Sequence, residues 1–147
     1  MARFQVTEDH TAEVIAAKNA AVERALEMIG IKVENYAKEL CPVDTGNLRN
    51  SITHQVDGEG ATATVTIGAG AEYAPYVELG TGKHFTPPPE WIEHTGKKGR
   101  GLDSWVYQDK EGNWHRAYPM MARPFLRPAV ENHKEEFETI LKNELQG

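Results

Sequence analysis

Cysteine is nearly absent from this chain: Cys41 is the only one in 147 residues. An internal disulfide is therefore excluded, and a reducing compartment is expected. Long hydrophobic runs are missing too. The apolar stretches last a few residues, against the roughly 20 that a membrane-spanning helix needs. Met1-Ala2-Arg3-Phe4-Gln5 lacks the apolar core of a signal peptide, so none is expected. Positive charge is in short supply. With 16 Lys and Arg against 22 Asp and Glu, the net charge is −6. Such a chain is a poor non-specific nucleic-acid binder, because phosphate contacts need clustered cations. There is no internal repeat and no low-complexity tract. What remains is 39% hydrophobic and 26% charged, ordinary for a globular protein, and the length fits one domain, residues 1–147, with a single core.

Catalytic constellations are also lacking. The histidines are His10, His54, His84, His94, His115 and His133. No two stand at the i, i+4 spacing of a zinc protease helix, and Cys41 has no cysteine neighbour. His84, His94 and His115 share one segment, but histidines in loops are more often solvated. Asp44-Thr45-Gly46 matches the triplet of aspartic proteases, which need two such carboxylates sharing a proton. The setting is wrong for that chemistry: a helical pattern and Pro42 precede the triplet, where an apolar strand should stand. A turn is the preferred reading.

What is there begins with a helix. Residues 8–40 show Val22, Leu26, Ile29, Val33, Tyr36 and Leu40 at spacings of four and three, with Glu and Lys opposite. Thr7 or Thr11 is a candidate N-cap, Gly30 is a weak point, and Pro42 stops the helix. Cys41 to Ile52 (CPVDTGNLRNSI) is a turn followed by a short helical turn or the start of a strand. Residues 51–56 read as a strand, Asp57-Gly58-Glu59-Gly60 as a hairpin turn, and residues 61–67 as a strand with a Thr-rich face. Tyr73 to Leu79 is a short helix closed by Gly80-Thr81-Gly82. Pro128 suits the first turn of a last helix running to about residue 145. Together these elements predict an α+β fold, with a long N-terminal and a C-terminal helix packed on a small antiparallel sheet.

Residues 83–118 do not fit that frame and read as an inserted arm. Pro87-Pro88-Pro89 favours extended geometry. Residues 104–108 and 114–118 form a second hairpin across Asp109-Lys110-Glu111-Gly112-Asn113. Residues 83–127 carry eight basic and five acidic side chains, the only net-positive stretch. Within it, Lys97, Lys98 and Arg100 are candidates for contact with DNA or an acidic partner, although a solvated loop is the commoner outcome. Arg49, Arg123 and Arg127 are candidate interface charges, with Asp44 or Glu78 as candidate intrachain partners and an ordinary surface pair as the alternative. Tyr73, Tyr76, Trp91, Trp105 and Trp114 are candidate interface anchors, because aromatics dominate hot spots, with core packing as the equal alternative for the tyrosines.

Three segments, in this order, resemble one known family. They are Pro42 to Ile52, Tyr73 to Thr81 (YAPYVELGT) and Arg123 to Ala129 (RPFLRPA). Over about residues 8–82 and 119–145 the chain is similar to the tail-completion and head–tail joining proteins of long-tailed bacteriophages. The resemblance implies a structural virion protein, made in the host cytoplasm, with no catalysis, cofactor or membrane. It implies a homo-oligomeric ring, usually a hexamer, at the neck or head-proximal tail end. The partners would be the connector or adaptor and the tail terminator or tail tube, around the DNA channel. A tail-terminator-like ring of a prophage-derived particle is the alternative. Arg49, Glu78 and Arg127 would lie at or near subunit contacts. The arm departs from the family pattern, which joins the second and third segments over a shorter stretch.

Overall fold

The computed structural model of the protein describes residues 10–43, 46–95 and 100–147. Helix α1, Thr11–Leu40, is the spine. His10 holds its N-cap position without a side-chain cap bond. Thr11 is thus the first helical residue and not the cap, and Thr7 lies outside the described residues. Pro42 ends the helix as expected: Cys41 turns extended, and its N–H still reaches the Ala37 carbonyl at 2.9 Å.

The buried seam of α1 is Ala21, Ala25, Ile29, Val33 and Ala37. It shares Ile29 and Val33 with the expected line, runs one position away where Val22, Leu26 and Tyr36 were expected, and leaves Leu40 exposed. Small residues let the neighbouring elements approach the helix axis closely. Helix α2, Asn47–Asn50, follows, and then the hairpin β1, Ile52–Asp57, and β2, Thr64–Ala69. The strands pair antiparallel from Ile52↔Ala69 to Asp57↔Thr64. Gly60–Thr62 forms a 3-10 turn at the tip, so the second strand starts later than residue 61. Thr64 and Thr66 face solvent, while Val65 and Ile67 turn towards the core.

Helix α3, Ala74–Leu79, comes next, and then α4, Pro89–Thr95. The third proline therefore starts a helix instead of extending a polyproline run, as a proline can in a first turn. A second, separate hairpin pairs β3, Trp105–Gln108, with β4, Trp114–Ala117, close to its expected limits. The C-terminal helix is broken in two, α5 at Leu126–Glu131 and α6 at Lys134–Gln146. The break has a packing reason. It turns the His133 ring onto Tyr36, with centroids 3.5 Å apart and planes 5° from parallel.

The core gathers Ile29, Val33, Ala37, Cys41, Leu48, Ile52, Ala74, Phe125 and Ala129. The α+β reading holds, with α1 contacting β1, β2, α5 and α6. α6 runs antiparallel along α1. Glu136 meets Lys32 at 2.6 Å and the Tyr36 hydroxyl at 2.5 Å, and one end further on Glu144 meets Arg24 at 3.4 Å. Among the described residues, no helix is long and apolar enough to cross a membrane.

Candidate functional site

The second and third sequence segments meet through one carboxylate. The first N–H groups of any helix have no partner inside it. In α5 these belong to Phe125, Leu126, Arg127 and residue 128. Glu78 Oε2 accepts from Phe125 N at 2.7 Å and Leu126 N at 3.0 Å, and Oε1 accepts from Arg127 N at 3.0 Å. The fourth position is Pro128, which has no N–H. A side chain from α3 thus completes the cap of α5, where the helix dipole also favours a negative charge. Glu78, expected among the interface residues, is therefore an intrachain cap. Its contact with Arg127 is to the backbone, while the guanidinium pairs with Glu131 at 2.8 Å on the helix surface.

Around this cap the chain is pinned by backbone bonds. Arg123 N donates to Val77 O at 2.7 Å, Thr81 N to Met120 O at 2.9 Å, and Met120 N to Thr81 Oγ1 at 2.8 Å. Gly80 lies at φ 76°, and a Cβ there would stand 2.5 Å from His84 O and 2.9 Å from Met120 O. Only glycine accepts both that dihedral and that crossing. The arm thus leaves and returns through a fixed neck at Gly80–Thr81 and Met120.

Beyond the neck, α3 and the arm hairpin enclose an open apolar groove of about 1030 Å³. Tyr73, Tyr76, Phe85, Trp105, Tyr107 and Met120 supply most of its aromatic and apolar wall. A second hollow adjoins it, sharing Tyr73 and Met120 and continuing to Pro42, Leu48 and Met121. The register of the hairpin explains the lining. Trp105 pairs with Ala117 and Tyr107 with His115, so these four share one face, while Val106, Arg116, Gln108 and Trp114 share the other. The first face contributes Trp105, Tyr107 and Ala117 to the groove. On the second, Val106 and Trp114 are 55% and 70% exposed. Apolar surface of this extent marks an interaction site more often than an accident.

The expected anchors therefore separate. Tyr76 and Trp105 line the groove, and Trp114 projects from the other face of the arm. Trp91 belongs to α4, but its side chain lies outside the described residues, as do Asp44, Thr45, Lys97 and Lys98. Arg100 lines the groove and Arg123 the adjoining hollow, and Arg49 is exposed on α2. Cys41 is buried, which raises its thiol pKa against a smaller lowering by Arg49, so it is a structural and unreactive group. His115 is held by Asp109 at 2.7 Å within the arm turn. Among the described residues, no group of three or more His, Cys, Asp or Glu side chains is placed to hold a metal ion.

One cluster escaped the sequence reading. Both ring nitrogens of His54, on β1, are held by carboxylates of α1: Nδ1 by Glu34 at 2.6 Å and Nε2 by Glu27 at 2.7 Å. Those hydrogen bonds, Glu27 first and then Glu34, raise the His54 pKa and favour the imidazolium. Glu34 is lowered in turn, first by Lys38 and then by His54. Gly30 makes the room. A Cβ there would stand 2.4 Å from His54 Cδ2. The available signal was two glutamates seven residues apart on one helix face, with a glycine between them.

No curated protein and no solved structure matches the chain. Residues 8–80 match the family described as "Bacteriophage HK97-gp10, putative tail-component", and through that segment, about half its length, the chain belongs to the HK97-gp10-like family of phage tail components.

Proposed function

We propose that the protein is a structural part of the virion, with no catalytic role. Copies of it form a ring, six-fold in the simplest case, at the phage neck or head-proximal tail end. The ring joins the tail to the head connector around the DNA channel. The observation that carries this reading is the family match over residues 8–80. The geometry adds a reason of its own. The glycine and carboxylate chemistry of the matched half is spent on locking the chain to itself, at Gly80 and Glu78. What faces outward is an apolar groove with arginines near its edge, which suits a protein partner.

The test is a phage unable to make this protein, imaged after lysis. Full heads beside detached tails of normal length are expected. Normally joined particles would overturn the joining role, and tails of uncontrolled length would assign the protein to tail termination instead. The native mass of the purified protein, alone and with the connector, reads the ring separately.

A further inference from the structure

The first two turns of α1 stand exposed. Residues 11–18 are all exposed, and the first buried residue of the helix is Ala21. α6 ends beside Lys18, whose ammonium donates to the Leu145 carbonyl. About seven residues, or roughly 10 Å of helix at 1.5 Å per residue, therefore project past the end of α6. That projection carries Val14 and Ile15, 55% and 54% exposed. Its charge is acidic: Glu13 lies on it, and Glu8 and Asp9 precede it in the sequence.

The aromatic groove lies at the other end of the same helix. Its adjoining hollow includes Pro42, just past the C-terminus of α1. The rest of the 30-residue helix separates projection from groove, about 35 Å at 1.5 Å per residue. The charge around the groove is opposite in sign. Arg100 and Arg123 line the two hollows and Arg49 stands exposed nearby, against one acidic group, Glu72, among the described lining residues. An apolar acidic helix end and an apolar arginine-edged groove, at opposite ends of one molecule, are complementary surfaces for a head-to-tail contact.

We propose that the first two turns of α1 of one copy seat in the groove of the next copy. Val14 and Ile15 enter between α3 and the arm hairpin, against Tyr76 and Trp105. Glu13 faces the arginines. The contact rests on the ring reading above and names the surfaces that would close it. It also gives the arm a role in assembly, because its inner face forms one wall of the receiving groove.

Paired cysteines test this directly. Ile15→Cys and Tyr76→Cys are combined in the full chain, with the buried Cys41 left in place, and the protein is oxidised mildly within assembled tails. A ladder of covalent multimers is expected from the double variant and none from either single variant. Tails that contain several copies and give no ladder would overturn the contact while leaving the ring intact. Tails that contain a single copy would remove the ring itself, and the contact with it. A second measurement uses Val14→Asp/Ile15→Asp and Tyr76→Asp, all at exposed positions, with melting curves as the folding control. Each variant alone should need at least tenfold more protein to reach the wild-type oligomer mass. Mixed, they should form a dimer through their one intact contact. Wild-type assembly by the helix variant would also overturn the proposal.

Discussion

Residues 11–80 and residues 83–118 use the same kinds of side chain for opposite ends. In the first region, away from the groove, several aromatic and charged groups are consumed internally: Tyr36 stacks on His133 and bonds Glu136, His54 is clamped by Glu27 and Glu34, and Glu78 caps α5. In the arm, a hairpin of two four-residue strands leaves Val106, Tyr107 and Trp114 about half exposed or more. A lone hairpin is marginal in water and needs a third layer. The body specifies its own fold, whereas the arm is held at its neck and presents its faces outward. The family match follows this divide, since it ends at Gly80, where the arm begins.

The comparison breaks hardest where the third segment plugs into the body. Phe125 is 0% exposed and is the largest fully buried side chain together with Ile52. Phe125→Ala should cost about 3–5 kcal/mol, the usual range for a buried phenylalanine, read as a lower urea midpoint. Glu78→Ala comes next. It leaves three N–H groups of α5 without their acceptor, and should cost about 2–3 kcal/mol. The midpoint should fall while the arm hairpin keeps its hydrogen-exchange protection. An unchanged midpoint would show that solvent replaces the carboxylate at no cost and that the cap does not join the two segments.

The sequence made the periodic elements legible: α1, the hairpin of β1 and β2, and the arm hairpin all come from local patterning. Long-range chemistry was not legible. Glu78 read as a partner for an arginine or an interface charge, and not as a helix cap, because its three backbone partners lie 47 to 49 residues away. Gly30 read as a defect because the ring that fills its space belongs to another element. Pro128 suggested one continuous final helix, but the stacking of His133 on Tyr36 accompanies a break that no local signal marks. At the groove, composition found the aromatic residues. The register of the hairpin, which sends Trp105 inward and Trp114 outward, was needed to sort them.

A smaller effect should appear with pH, and it belongs to the body alone. The His54 pKa is raised above its ordinary 6.5. Its contribution to stability is therefore complete below that value and is lost as pH rises through the folded value. Glu34 is shifted the other way, so its share is lost in acid. The clamp should be strongest between the two. As pH rises from about 6 towards 9, the melting temperature should fall by about 2–4 °C, the effect of roughly 1 kcal/mol in a domain of this size. His54→Gln should flatten that slope. A slope that persists in the variant would assign it to other groups.

The smallest effect on folding should come from the more exposed of the two described tryptophan side chains. Trp114 is 70% exposed on the outer face of the arm, so Trp114→Ser should change stability by less than about 0.5 kcal/mol. If the arm serves assembly, the same change should weaken incorporation into tails, because aromatic anchors dominate interface energetics. The two readouts decide between a structural and an assembly role for that face. A lower melting temperature with normal tails would place Trp114 with Phe125, as packing. An unchanged melting temperature with poorly joined tails would place it with the groove, and would extend the contact surface around both faces of the hairpin.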